Sequence, residues 1–157
     1  MEELNLLRSI FRDTLGPVIA IITAYIAYQQ YKANRMKLKY ELYDKRYKVF
    51  EKVKHFLSTI NGEAGINNQD LLAFKPSVIE AAFLFGKDMN EYLVEIYKHA
   101  VELHKINGEY RDFTQKQPEG YDHSKISESI HKELTWFSNQ YDPMKKIFNK
   151  YLNVSKI

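Results

Sequence analysis

The sequence predicts an all-α protein, in which one N-terminal transmembrane helix continues into a long stalk helix and a cytoplasmic antiparallel helical bundle. Apolar residues recur at spacings of three and four along most of the 157-residue chain, which places them on single helix faces. No segment alternates apolar and polar residues over the length of a strand. Glycine and proline, with six and four residues, fall at a few breaks. The chain is therefore predicted to consist of a short N-terminal segment (residues 1–13), a transmembrane helix (residues 14–31) and a helical bundle domain (residues 32–157).

The predicted transmembrane helix is the uncharged run of eighteen residues between Asp13 and Lys32. A helix of that length spans about 27 Å, close to the thickness of a bilayer core. Residues 18–28 are apolar on all sides apart from one threonine and the tyrosine hydroxyls, so they lack the polar face of a surface helix. Pro17 is predicted to begin this helix, because the first helical turn has no use for the missing N–H group.

Three other interpretations of the uncharged run compete with a membrane span. A buried core helix fits a run at the lower length limit for spanning. A cleaved signal peptide needs more positive charge before the run than after it, together with a small-residue cleavage site, and neither is present. An interfacial helix needs a polar face. The preceding segment "LNLLRSIF" is typical of a short amphipathic lead.

The charge distribution predicts the orientation and the class of partner. Residues 1–48 carry nine Lys/Arg and five Asp/Glu, whereas residues 49–157 carry fourteen and fifteen. The positive-inside tendency predicts a bacterial inner-membrane protein with residues 1–13 outside and the C-terminal domain in the cytoplasm. A nucleic-acid-binding domain would carry its positive charge on the folded body, so nucleic acid is not the expected partner. The absence of cysteine excludes disulfides, thiolate metal sites and a cysteine nucleophile.

Aromatic and basic residues at the end of the uncharged run are predicted to lie at the inner membrane interface. Tyrosine suits this position because its ring is apolar and its hydroxyl is hydrated. Lysine and arginine can meet anionic lipid head groups there. The predicted membrane-interface residues are Tyr25, Tyr28, Tyr31, Lys32, Arg35, Lys37 and Lys39.

The stalk helix is predicted from an uninterrupted chain and a continuous apolar stripe. Neither glycine nor proline occurs between Val18 and Asn61, so the helix is expected to continue beyond the bilayer. Its stripe is predicted to be the buried side, with the basic residues in water. The members of the stripe are Met36, Tyr40, Tyr43, Tyr47, Phe50, Val53, Leu57 and Ile60.

The remaining helices follow from glycine, proline and capping residues. A loop is predicted at "NGEAGINNQ", and then a short helix that Pro76 interrupts and Gly86 ends. Asp88 is predicted to cap the next helix, which Gly108 stops.

A polar connection over residues 109–123 precedes the last helical block, which carries one apolar face from Ile126 to Tyr151. Within this block, Asp142-Pro143 predicts either a kink or the start of a new helix.

Three blocks of the sequence carry a resemblance to known proteins. They are "LYDKRYKVFEKVKHFL", "AAFLFGKDMNEYLVEIYKHAVELHKIN" and "LTWFSNQYDPMKKIFNKYL". Together with the apolar lead, they resemble a family of small, uncharacterised bacterial single-pass inner-membrane proteins with a cytoplasmic helical domain. The resemblance implies this topology and fold, and it implies no activity.

The titratable residues do not form a recognisable catalytic or metal motif. Glu95, His99 and Glu102 share a helix face, and Glu128-x-x-His131 matches once the motif that carboxylate-bridged metal bundles repeat on two helices. A solvated charged face is the favoured interpretation, with no metal and no cofactor. No phosphate-binding loop, nucleophile elbow or H-E-x-x-H motif occurs, so we expect no enzymatic activity.

The densest aromatic group outside the stalk consists of Trp136, Phe137 and Tyr141. Such a group usually belongs to the core. The alternative is a protein-contact site, because aromatic residues also anchor interfaces.

The predicted function is a non-enzymatic, membrane-anchored helical interaction or sensing module, whose partners are the lipid bilayer and a protein partner or homo-oligomer. The alternative is a membrane-perturbing effector of the defence or toxin type, in which Thr23 and the small residues Ala20, Ala24 and Ala27 line helix contacts. A third hypothesis is a soluble helical nucleic-acid binder.

Overall fold

A computed structural model describes residues 2–112 and 114–153, and before Thr14 it describes the side chains of Glu3, Arg8 and Arg12. Its regular structure is helical throughout, which confirms the all-α prediction for the part of the chain described. The helices are α1 (Glu2–Glu63), α2 (Asn68–Leu84), α3 (Lys87–Glu109), α4 (His123–Ser138) and α5 (Tyr141–Leu152). The predicted amphipathic lead at residues 4–11 lies outside the described side chains except for Arg8.

Helix α1 passes through Pro17 without a break, so the prediction that a helix begins there is wrong. A proline inside a helix removes one hydrogen bond and crowds the preceding turn. It does not end the helix here, because the residues on both sides of it are helical in the structure.

The prediction of a membrane span is contradicted. Among the residues that the structure describes, no helix has an apolar stretch long enough to cross a bilayer. The physical reason is that an uncharged segment need not be hydrophobic, because uncharged residues include polar ones. Residues 14–31 include Thr14, Gln29 and Gln30 near their ends, which leaves residues 18–28 as the apolar part, and Thr23 interrupts it. That part is about half of the roughly 20 apolar residues that a spanning helix needs. The predicted single-pass inner-membrane location is wrong for the same reason.

The chain divides into two compact units, residues 1–41 and residues 42–157. The first unit consists of the N-terminal part of α1. Every side chain from Thr14 to Leu38 is exposed.

The second unit is a helical bundle with a hydrophobic core. Helix α2 packs against α3, and α3 packs against α4. The core draws buried side chains from all five helices, including Leu57 of α1, Leu93 of α3 and Phe148 of α5. The rings of Phe56 and Phe74 stack with their centroids 3.9 Å apart, which joins α1 to α2. Each fully buried side chain of this size contributes about 1.5–3 kcal/mol to stability.

Helix α2 differs from its prediction because it continues through Pro76. Leu71 and Phe74 before the proline and Ala81 after it are all buried. Packing of this face offsets the hydrogen bond that the proline removes, since helices in proteins are stabilised mainly by tertiary contacts. Asn67 caps α2 by accepting a hydrogen bond from the Asp70 N–H group at 2.9 Å.

The later helix boundaries agree with the sequence to within a few residues. Helix α3 begins after Gly86, so Asp88 lies in its first turn and is not its N-cap as predicted. The last block is two helices, and Pro143 lies in the first turn of α5. Of the two alternatives at this proline, the start of a new helix is therefore closer.

The predicted buried stripe of α1 is buried in its C-terminal half. Val53, Leu57 and Ile60 are inaccessible to solvent, whereas Met36 and Tyr40 are exposed by 46% and 61%. Between them, the remaining members are half-buried or exposed. The stripe therefore has two parts, and the described bundle covers one of them.

Candidate interaction surface

The most conspicuous surface of the first unit is an apolar region of α1, which we call the α1 face and define as the exposed apolar residues between positions 15 and 40. Its six aliphatic side chains before Tyr28 are between 49% and 70% exposed. They are Leu15, Val18, Ile19, Ile21, Ile22 and Ile26. Single exposed apolar residues are normal on proteins, but a contiguous group of this kind marks a site of interaction.

The seven residues predicted to lie at a membrane interface are all on this part of α1. Six of them are exposed, and Lys39 is half-buried. The amide nitrogen Nε2 of Gln29 donates a hydrogen bond to the Tyr25 hydroxyl at 2.9 Å, and Lys37 lies 3.9 Å from Glu41. The membrane-interface role of these residues stays a prediction.

The aromatic group around Trp136 belongs to the second unit. Phe137 is fully buried, whereas Trp136 and Tyr141 are half-buried. The Trp136 ring stacks on the His99 ring with centroids 3.7 Å apart and an interplanar angle of 14°. Phe137 meets the edge of Trp136 at 5.0 Å. Phe137 therefore has no exposed surface to offer a partner in this fold.

His99 forms a contact between α3 and α4 that the sequence analysis missed. Its Nδ1 atom lies 2.7 Å from Oε2 of Glu133, and both side chains are mostly buried. Glu133 and Trp136 are three residues apart, so they share one face of α4 and meet His99 together. Helical spacing alone could have paired Glu133 with Trp136, but it could not have selected His99 as their common partner.

The acidic residues grouped with His99 in the sequence analysis do not form a metal site. In the described part of the chain, no three His, Cys, Asp or Glu side chains are placed to hold a metal ion.

A polar cluster joins α3 to α5 at Asp88. Lys150 Nζ lies 2.8 Å from Oδ2 of Asp88, and the Tyr151 hydroxyl donates a hydrogen bond to Oδ1 of the same carboxylate. The hydrogen bond from Lys150, followed by that from Tyr151, lowers the pKa of Asp88 to about 2. The hydrogen bond to Asp88 raises the pKa of Tyr151, and it also raises the pKa of Lys150.

Arg46 of α1 reaches the same cluster. Its Nε atom donates a hydrogen bond to the Leu84 carbonyl at 2.8 Å, and its guanidinium carbon lies 5.4 Å from the centroid of the Tyr151 ring. Gly86 permits the close approach, because a Cβ atom at this position would lie 2.6 Å from the Tyr151 hydroxyl oxygen. These contacts hold α1, the α2–α3 junction and α5 together, so the cluster has a structural role.

A groove between α1 and α2 in the second unit has a volume of about 570 Å³. Phe83 lies on its rim and is 86% exposed. The basic residues of the groove are balanced by carboxylates, since Lys48 lies 2.7 Å from Asp44 and Lys52 lies 3.5 Å from Glu80. The groove is therefore close to neutral and has no charge that would select a ligand.

Known proteins give no further assignment. No protein-family model, no curated protein and no solved structure matches this chain. The resemblance to small inner-membrane proteins stays a prediction.

Proposed function

We propose that this chain is a non-enzymatic helical interaction module that binds another protein chain through the α1 face. The observation that supports the proposal is the exposure of the aliphatic side chains between Leu15 and Ile26. Because these side chains are about half exposed, burying each of them against a partner would contribute about 1–2 kcal/mol before the entropic costs of association. A few such residues are enough to dominate the free energy of binding at a protein interface.

The titratable groups of the second unit support a non-enzymatic role. The His99 ring is covered on one face by Trp136, and Glu133 occupies its Nδ1 atom. Asp88 is engaged by Lys150 and Tyr151. These groups make contacts between helices, and this structural role accounts for their placement without any catalytic one.

The alternative predicted from the sequence, a membrane-perturbing effector, required a spanning helix. Without that helix, the same exposed side chains are better explained by contact with protein. Helix α1 also contributes Val53, Leu57 and Ile60 to the core, so a single helix carries both the proposed binding face and part of the bundle core.

The test is photo-crosslinking of the full chain in the expressing cell. A photoreactive amino acid replaces Ile22 on the α1 face, and a control chain carries it at Lys98, an exposed position on α3. We expect one discrete protein adduct from position 22, identified by mass spectrometry, and none from position 98. The adduct should disappear when Ile19 and Ile26 are both changed to Gln, which keeps helix propensity and removes the apolar contact.

Two outcomes would contradict the proposal. One is the absence of any protein adduct at position 22, with or without adducts to lipid. The other is an adduct that survives the Ile19→Gln, Ile26→Gln change, because contact would then not depend on the apolar face.

A further inference from the structure

The α1 face contains a regular heptad pattern that identifies its partner more closely. From residue 19 to residue 40, a seam of side chains recurs at alternating spacings of three and four. The a positions of this pattern are Ile19, Ile26, Ala33 and Tyr40. The d positions are Ile22, Gln29 and Met36. A pattern of this kind sustained over about three heptads is typical of a coiled coil.

The structure leaves this seam open. All seven side chains are exposed, and the isoleucines at positions 19, 22 and 26 are 56%, 52% and 49% exposed. Spacings that alternate between three and four average about 3.5 residues, which is less than the 3.6 residues per turn of a straight helix. Such a seam keeps facing a second helix only when the two helices supercoil. The pattern is therefore suited to a long helical partner.

The absence of charge in the first half of the seam favours an identical partner. Residues 14–31 carry no charge, so a second copy would bury this half of the seam without like-charge repulsion. A strongly acidic partner would find no base to pair with over the same length. Gln29 is the single polar residue of the seam, and a lone polar residue at such a position specifies the register of a coiled coil.

The polar residue of the seam favours a parallel orientation, because Gln29 faces Gln29 of the second copy only when the two chains run parallel and in register. In a parallel pair, each g residue faces the next e residue of the partner, which brings Lys39 to Asp44. The same register brings Lys32 to Lys37, which is an unfavourable contact. In an antiparallel pair the g positions face each other, so Lys32 and Lys39 would each face a g residue of the second copy. The g residues Tyr25, Lys32 and Lys39 include no acid. The attractive and repulsive contacts of the parallel pair offset each other, and Asp44 is also 2.7 Å from Lys48 of its own chain. The orientation is therefore decided by Gln29.

We propose that the partner of the α1 face is a second copy of this chain, aligned parallel and in register as a coiled coil over residues 19–40. This inference rests on the proposed function and names the chain that the face binds. In this arrangement, each a or d residue faces the same residue of the second copy across the seam. The two Cα atoms then lie within the separation of about 4.4–6.8 Å that a disulfide needs.

The test uses single cysteine variants of the full chain, which has no cysteine of its own. Ile22→Cys, Ala33→Cys and Met36→Cys place a thiol on the seam. Ala24→Cys is the matched control for Ala33→Cys, because it makes the same substitution at an f position on the opposite side of the helix. Each protein is oxidised at low concentration and separated on a non-reducing gel, and far-UV circular dichroism checks that helix content is unchanged.

We expect disulfide-linked dimers from all three seam variants and little or none from Ala24→Cys. Linkage at only one seam position would indicate an antiparallel pair and overturn the proposal. Positions 22 and 36 lie about 21 Å apart along the helix, so an antiparallel pair cannot join both to themselves. Equal linkage at positions 24 and 33, or no seam linkage at all, would also overturn it.

The photo-crosslinking experiment separates this proposal from the proposed function. An adduct at position 22 with twice the mass of the chain agrees with both. An adduct with a different protein, together with absent seam disulfides, leaves the proposed function standing and shows that the second copy is the wrong partner. The absence of both kinds of linkage contradicts both proposals.

Discussion

Ser77 places a hydroxyl group in the core of the bundle. The residue is fully buried on α2, and its Oγ atom has no hydrogen-bond partner among the described residues. A buried polar group without a partner costs about 1–3 kcal/mol relative to the same group in water. Ser77 is therefore a position where the native sequence is less stable than it could be.

We expect Ser77→Ala to raise the free energy of unfolding by about 1 kcal/mol or more, because it removes the unpaired hydroxyl. Ser58→Ala is the matched control, since Ser58 is exposed on α1 and gains about the same half kcal/mol of helix propensity. Urea denaturation followed by circular dichroism measures both changes. A gain at Ser77 no larger than the gain at Ser58 would show that the hydroxyl is paired in solution.

The limits of sequence reasoning are visible in single residues. The burial of Val53, Leu57 and Ile60 follows from their spacing, and the structure confirms it. Met36 and Tyr40 continue the same spacing and are exposed. Periodicity identifies one face of a helix, but it does not tell how far along that face the other helices reach.

At the scale of elements, α1 is distinguished by its open seam. The unfavourable contact between Lys32 and Lys37 gives a way to strengthen the proposed coiled coil. We expect Lys37→Glu to tighten self-association about tenfold, because two symmetric repulsive contacts become attractive, each by roughly 0.5–1 kcal/mol. Analytical ultracentrifugation over a range of concentrations measures the dissociation constant.

Arg35→Glu is the control for this change. It alters the net charge of α1 by the same amount at a c position, away from the seam. We expect its effect on the dissociation constant to be less than about twofold, in keeping with the small energies of exposed charges. If both variants tighten association equally, the effect comes from total charge and the proposed register is incorrect.

The helix boundaries show which elements the sequence predicts well. Glycine and asparagine predict the breaks between helices to within a few residues, because these residues act through local backbone geometry. Pro17 and Pro76 lie inside continuous helices, although the sequence predicts a helix start at the first and an interruption at the second. The cost of a proline can be offset by packing, as on the buried face of α2, and packing is a property that a local sequence pattern does not contain.

For the whole molecule, the Asp88 cluster predicts how stability depends on pH. The pKa of Asp88 is lowered from 3.8 to about 2 in the folded protein. The charged form is therefore favoured by folding, and its contribution is fully present above about pH 4. This contribution is lost as the pH falls from about 4 to about 2.

We expect Asp88→Asn to remove this part of the pH dependence, so that the variant and the native protein converge in stability toward pH 2. Asp142→Asn is the control, because it neutralises another exposed carboxylate. Thermal unfolding at a series of pH values measures the difference. A constant difference between native protein and Asp88→Asn from pH 5 to pH 2 would contradict the role of the ionised carboxylate.

The membrane prediction failed at the scale of the whole molecule. It rested on the absence of charge in residues 14–31 and on the basic residues after them. Glutamine, threonine and tyrosine are uncharged but far less hydrophobic than leucine or isoleucine, so the length without charge overestimates the apolar length.

The contact of His99 with Glu133 is not predicted from the sequence for another reason. Periodicity predicts a face of α3 and a face of α4 separately, and it does not show which faces meet.

Trp136 is the only tryptophan of the chain, and its ring stacks on His99 inside the second unit. Selective excitation of indole therefore gives an optical signal that originates in the bundle, although the chain contains twelve tyrosines. A titration that changes the sedimentation of the protein while the tryptophan spectrum stays constant would describe assembly without a change in packing at this position. A shift in emission would instead report a rearrangement between α3 and α4, so the native sequence already carries the label needed to distinguish the two events.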